Sequence, residues 1–364
     1  MKVDTNRRLV VYAQDEFGTG RAKTGEGVIR YGTSQVVAVV DRRHAGRTTE
    51  DVMGIGGAIP IVGTVQEAAR FGADSMLLGC QFTGGEMPES WRQDIISALN
   101  LGMDVINGLH DFLVDDPEYA ALAKKLNRQL IDLRKPPDKL PVASGKARDV
   151  DALTVLTVGT DCSVGKMTVS LELDKLAKLR GYKSGFVATG QTGIMIAGAG
   201  IAIDRVIGDF MAGAIEELVV ENSPGLDFLF VEGQGSVYHP GFSGVTLSLL
   251  HGTAPEAMIL CHQAGRKLIG KTGFPIPDLA KLAGVYESLA AIIRPAKVVG
   301  IALNTFGLSE DDARVHIEEA HRLTGLPATD PVRYSAECLL EPLEAMLKTR
   351  APKAELANPA PMRT

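Results

Sequence analysis

The 364-residue sequence predicts an α/β protein of two doubly wound domains. Three observations carry the prediction. Short β-branched runs alternate with amphipathic stretches, the strand-like runs are continuously apolar, and a Pro- and Lys-rich stretch interrupts the pattern over residues 134–152. Continuous apolar strands separated by helices imply parallel sheets covered on both faces. A chain of this length also divides naturally into two domains. The interruption, RKPPDKLPVASGKARDVDA, lacks apolar periodicity and has a linker's composition. We place the boundary at residue 148, giving domains 1–148 and 149–364.

In the first domain the expected strands are LVVYA (9–13), QVVAVVD (35–41), IPIVG (59–63), SMLLGC (75–80) and MDVING (103–108). TVQEAARFG and PESWRQDIISALNLG lie between strands, each apolar at helical spacing and ending in Gly. This half is Rossmann-like in pattern. Its first post-strand loop, FGTGRAKTGEGVIRYG, does not spell GxGxxG, so no dinucleotide site is expected there. The second domain repeats the alternation, with strands expected at 153–159, 183–190, 226–233, 256–262 and 296–304. Helical segments include KMTVSLELDKLAKLRG and SEDDARVHIEEAHRLTG, and the final APKAELANPAPMRT reads as loosely ordered.

Composition removes several function classes. A net charge of −6 leaves no broad basic field for nucleic acid. No window approaches the apolar length of a membrane span, and the five-residue run from Leu9 to Ala13 is too short for a leader core. Cys80, Cys162, Cys261 and Cys338 form no CxxC pair, which suits a reducing cytoplasm without disulfides or a zinc site. Small molecules are the expected partners, with no nucleic acid and no membrane, in a homo-oligomer as is usual for large α/β metabolic proteins. Glycine is in excess, at 40 residues, which suggests backbone that approaches a ligand closely.

The strongest local signal is TVLTVGTDCSVGKMT. An apolar strand ends at Gly159, a loop of Thr160, Asp161, Cys162, Ser163 and Val164 follows, and Gly165-Lys166 opens a helix that continues through Met167 and Thr168. The loop is one residue longer than the usual GxxxxGK spacing, but its logic survives. Inward-pointing N–H groups, a helix N-terminus and the Lys166 charge together suit a pyrophosphate. Thr168 is placed to meet a phosphate oxygen or Mg²⁺. The second half therefore reads as a P-loop NTPase-like domain.

GTDCSVGKMT resembles the phosphate loop of dethiobiotin synthetase, and VEGQGS, with Glu232 at a strand end, resembles that family's VEGAGG. A guanine-reading NKxD is absent, since the late strand ends at Asn304-Thr305-Phe306-Gly307. Longer strings resemble a single bacterial family along nearly the whole chain. They are KTGEGVIRYG (23–32), NGLHDFLVDDPE (107–118), RKPP (134–137), LTVGTDCSVGKMT (156–168), FVATGQTGIMIAGAG (186–200), VEGQGSVYHPGFSGVTLSLLHG (231–252) and LPATDPVR (326–333). The family joins a Rossmann-like domain to a P-loop domain and includes D-glutamate N-acetyltransferase. The resemblance implies acetyl transfer from acetyl-CoA to the amino group of D-glutamate, with no obligatory metal.

Under that implication, residues 159–168 hold the CoA pyrophosphate, with Lys166 as the main charge. Glu232 and His239, both after the third strand of the second domain, are alternatives for the base, since acetyl transfer needs a group that takes the amine proton. His110-Asp111, Asp204 and Asp209 are further polar candidates. Glutamate's two carboxylates call for fixed cations, and Lys23, Arg30, Arg42, Arg43 and Arg47 cluster around the first two strands, with Tyr31 offering a hydroxyl. The alternative is an ATP- and Mg²⁺-dependent kinase or ligase of the dethiobiotin synthetase type. In that case Lys166 stabilises transferring phosphate, and Thr168 and Glu232 hold the metal.

Overall fold

The structure, a computed structural model, describes residues 1–82 and 87–350. The C-terminal stretch 351–364, expected to be loose, lies outside the described residues. Two compact units are present. One comprises Met1–Lys139 with Ala188–Val206, and the other comprises Leu140–Val187 and the residues from Ile207 on.

In the first unit the elements run β1 (Arg8–Tyr12), α1 (Lys23–Tyr31), β2 (Gln35–Val40), α2 (Thr49–Met53), β3 (Ile61–Val62), α3 (Val65–Ala69), β4 (Ser75–Leu78), α4 (Arg92–Asn100), β5 (Asp104–Asn107), α5 (Pro117–Leu126) and β6 (Leu130–Asp132). All strands are parallel, in the order β3-β2-β1-β4-β5-β6. That is the doubly wound order of a Rossmann-like sheet, as the apolar runs predicted. Five of the six strands fall on those runs. The sixth, β6, is only three residues long and half-buried, too weak a pattern to mark a strand in the sequence. β3 is two residues rather than the five expected, with Pro60, which has no N–H to donate, just before it.

β1 pairs with both β2 and β4, so the direction of winding reverses there. Ligands gather at the carboxyl ends of strands at such a point. The residues emerging there are 13–22, after β1, and the short 3₁₀ turn Arg42–His44, after β2. Beneath them Tyr12 packs edge-on to Trp91, at 4.9 Å between ring centres, and donates its hydroxyl hydrogen to Asp94 at 2.6 Å.

The second unit contains β7 (Leu153–Gly159), α6 (Lys166–Leu179) and β8 (Ser184–Val187). The chain then supplies the first unit with α7 (Gln191–Ala197) before returning through α8 (Gly208–Asn222), β9 (Phe228–Val231), α9 (Ser243–Thr253), β10 (Ala257–Gln263), α10 (Leu279–Ala290), β11 (Lys297–Asn304), α11 (Glu310–Thr324), β12 (Ala328–Thr329) and α12 (Glu337–Thr349). The strand expected over 183–190 thus stops at Val187. The residues after it belong to the first unit, where Thr192 and Thr24 hydroxyls meet at 2.8 Å and Arg134 pairs with Asp204. Apolar content alone does not distinguish a strand's continuation from a segment leaving for another core.

The second sheet is also parallel, ordered β12-β11-β10-β7-β9-β8. β7 is buried along its whole length between β9 and β10, so its carboxyl end is the second reversal point. Phe228, Phe230, Val155, Ile259, Leu339 and Leu343 contribute to the core beside it.

His262, near the end of β10, places Nδ1 2.9 Å from the Thr160 hydroxyl at the end of β7. Burial, helped by the neighbouring Arg266 and His316 charges, lowers its pKa from 6.5 to about 4. Between these values the unfolded chain takes up a proton that the folded chain refuses, so stability falls as pH drops through the window. The full loss is about 3 kcal/mol. Denaturant titrations between pH 7 and 4 are expected to show this slope in the wild type and a shallower one in His262→Gln.

Candidate functional site

The loop from Gly159 to Gly165 is shaped by a buried carboxylate. Asp161 Oδ1 accepts the Cys162 N–H at 2.6 Å, and Oδ2 accepts Arg266 Nη1 at 2.9 Å and the Gly270 N–H at 2.6 Å. Arg266 also donates to the Cys162 carbonyl at 2.9 Å. The Tyr286 hydroxyl donates to the Gly159 carbonyl at 2.7 Å. Ser163, exposed, turns left-handed at φ +57°, and Gly165 caps α6 at φ +105°, a conformation open to glycine. Val164 is buried beneath the loop, and Met167 and Thr168 are half-buried in the first turn of α6.

Lys166 opens α6 with only 6% of its surface exposed and donates from Nζ to the Asp161 carbonyl at 2.7 Å. Burial pushes its pKa down, opposed by Cys162, Cys261, Asp161 and Glu232. A cation with little solvent, held in a loop at a helix N-terminus, suits an anion of high charge density. Gly233, which follows Glu232 after β9, has no room for a side chain: a Cβ there would lie 1.7 Å from the Thr157 carbonyl oxygen and 3.0 Å from Lys166 Cδ. Glu232 is buried and accepts Gln234 Nε2 at 3.2 Å.

His239 belongs to the same neighbourhood. Its Nδ1 accepts the Gly241 N–H at 3.1 Å, and the ring lies on Phe242 at 4.4 Å between centres. A backbone N–H only donates, so the neutral ring carries its proton on Nε2. His239 held this way offers a hydrogen bond rather than a proton acceptor. One ligand atom each from Asp161, Cys162 and His239 lie within 4.8 Å of one another, a grouping that sequence spacing concealed. Arg266 already occupies the carboxylate of this trio, and its charge opposes a second cation there. Arg266, Gly270, His262 and Tyr286 escaped the sequence reading. For Arg266 and Gly270 the signal was the basic run GRKLIGK after the strand that neighbours β7.

The first unit sorts the cationic candidates. Lys23 begins α1, whereas Arg30 and Tyr31 end it, about 10 Å further along the axis. Arg42 is paired with the Asp15 carboxylate, Arg43 donates to the Asp15 carbonyl at 2.8 Å, and Arg47 donates to the Asp51 carbonyl. Arg43 and Arg47 line an open cleft of about 390 Å³ together with Phe17, Thr19, His44 and Val52. Lys23, Arg30, Tyr31 and Arg42 are not among its lining residues. His110 lies elsewhere in this unit, with Nε2 3.8 Å from Asp204, and burial and Arg134 lower its pKa. Asp111 accepts the Met87 N–H, and Asp209 stands in the first turn of α8 in the second unit.

Comparison with known proteins agrees with this anatomy. Residues 141–340 match a family described as a domain of unknown function (DUF1611_C) P-loop domain, and residues 42–136 match the DUF1611_N Rossmann-like domain. A D-glutamate N-acetyltransferase of Tritonibacter scottomollicae is 42% identical over 78% of this chain and 85% of its own length. One from a Pseudoalteromonas species is 38% identical over 76% of this chain and 83% of its own length. The crystal structure of a DUF1611 family protein from Anabaena variabilis ATCC 29413 superposes with a TM-score of 0.90 at 40% identity, covering 93% of this chain and all of that one. The chain belongs to the DUF1611 family, which joins a Rossmann-like domain to a P-loop domain.

Proposed function

We propose that the protein is an N-acetyltransferase that moves the acetyl group of acetyl-CoA to the amino group of D-glutamate, a step in D-amino-acid catabolism. The observation that carries the reading is the loop around Lys166, a buried cation built for phosphate, in a chain 42% identical to a D-glutamate N-acetyltransferase. CoA brings a pyrophosphate, so such a loop serves acetyl transfer without any phosphoryl chemistry.

Residues 159–168 are assigned to the pyrophosphate: Lys166 for charge, and the N–H groups at the start of α6 for hydrogen bonds. His239 Nε2–H and the free side of the Arg266 guanidinium add donors. In CoA the pantetheine arm separates the pyrophosphate from the thioester. Groups gathered around Lys166 therefore belong to the phosphate end of an extended ligand, and Glu232 and His239 are reassigned from proton transfer to shaping and lining that end. Within the first unit, Arg43 and Arg47 of the cleft are the cations best placed to meet carboxylates, and Phe17 and Val52 offer apolar cover beside them. Lys23, Arg30, Tyr31 and Arg42 drop out of the proposed clamp.

Two measurements test the reading. Lys166→Ala is expected to weaken CoA binding by about 100-fold in calorimetry, in line with the loss of a buried charged hydrogen bond; unchanged affinity would sink the pyrophosphate assignment. Acetylation of D-glutamate by the wild type is expected to continue in excess EDTA and to release no ADP when ATP is supplied. A strict Mg²⁺ requirement with ADP formation would instead establish the kinase or ligase reading.

A further inference from the structure

The segment of the second unit that follows β10 is cationic. Residues 257–277 include Arg266, Lys267 and Lys271 but no Asp or Glu. Its central part folds into a hairpin. Leu268 pairs antiparallel with Pro275, the Ile269 N–H donates to the Phe274 carbonyl at 2.9 Å, and the Ile276 N–H donates to the Lys267 carbonyl at 2.9 Å. Within the turn the Thr272 hydroxyl donates to the Ile269 carbonyl at 2.6 Å and accepts the Phe274 N–H at 3.2 Å, and the fully buried Ile269 anchors the whole. The tip is tied to the phosphate loop of its own unit. The Gly270 N–H reaches Asp161 at 2.6 Å, and a Cβ at Gly270 would stand 3.9 Å from His239 Nε2. Lys271 is the next residue, and it is exposed. Neither its ammonium nor its N–H has a partner among the described residues, and the Gly273 N–H has none either. Arg266, in contrast, is already paired with Asp161.

We propose that the tip of this hairpin binds the ribose phosphate of CoA and that Lys271 is the residue that selects CoA over ligands lacking that group. The proposal rests on the reading above, in which the Lys166 loop holds the CoA pyrophosphate, and it concerns the second unit alone. CoA carries a second anionic group one ribose ring away from the pyrophosphate, a phosphate monoester of about −1.5 to −2 charge at neutral pH. Lys166 is committed to the pyrophosphate and Arg266 is largely spent on Asp161, so the monoester needs a cation of its own. Lys271 supplies one directly beside the Gly270–Asp161 contact, together with the backbone N–H groups of Lys271 and Gly273. The hydrogen bonds of the hairpin hold that lysine's backbone in place before the ligand arrives, which lowers the ordering cost of binding. An adenine nucleotide with a bare ribose fills the pyrophosphate site but leaves Lys271 unused.

The test is calorimetry on the full-length protein with CoA and with dephospho-CoA, which lacks only the ribose phosphate. The wild type is expected to bind CoA about tenfold more tightly, as one charge-assisted contact at an exposed site allows. Lys271→Ala is expected to abolish this preference by weakening CoA while dephospho-CoA keeps its wild-type affinity, and Lys271→Arg should retain it. Lys267→Ala removes the same charge from the open end of the hairpin and is expected to keep the preference within about twofold. If Lys271→Ala fails to fold, as judged by circular dichroism, Lys271→Gln carries the same expectation. Three results overturn the assignment of Lys271 and leave the pyrophosphate reading standing: a wild type that binds both ligands alike, a folded Lys271 variant that keeps the preference or weakens both ligands equally, or an equal loss of preference in the Lys267 variant. A wild type that binds neither ligand overturns the pyrophosphate reading itself, and this proposal falls with it.

Discussion

A buried carboxylate is costly unless every lone pair is answered, and Asp161 shows what that requirement does to a fold. Its oxygens are answered by Cys162 in its own loop and by Arg266 and Gly270 in the segment after β10. The phosphate loop and the loop of the neighbouring strand are thereby fixed to each other. Lys166 depends on the same residue, because its ammonium rests on the Asp161 carbonyl. Satisfying one anion thus positions both cations nearest the loop, Arg266 and Lys166. The close approach of Gly233 to Thr157 seals the other side.

Two histidines illustrate how little a residue type says about its role. His44 and His239 each follow a strand, and each engages Nδ1 in a short local contact. A carboxylate meets one and an amide N–H the other, which reverses the position of the proton and hence the chemistry on offer at Nε2. Sequence favours His239, which sits in a long family-like string next to the glycine-rich VEGQGS. Nothing in VVDRRHAGR (39–47) tells whether Asp41 turns inward toward the ring three residues on; the 3₁₀ turn does that, and it is visible only in three dimensions.

The rest of the fold was legible to differing degrees. β7 and β10, buried throughout most of their length, announce themselves as continuous apolar runs, and Gly165-Lys166 marks the start of α6. The short edge strands β6 and β12 have too few residues to carry a pattern. Long-range partnerships are invisible in principle. The basic run after β10 gives no sign that Gly270 will reach Asp161, 109 positions earlier. Likewise Arg42 looks like a free cation until Asp15 is found beside it.

The segment Ala188–Val206 belongs to the first unit although it is encoded in the middle of the second. A ribosome releasing this chain from its N-terminus therefore cannot finish the first unit when residue 139 emerges. The Thr24 hydroxyl lacks Thr192, and Arg134 lacks Asp204, until β7, α6 and β8 have also been made. The two halves are interleaved in the gene, and a cut at the Pro- and Lys-rich seam would strand part of one inside the other. Their evolution is tied accordingly: neither can be exchanged for a foreign domain at a single junction without dismantling its companion.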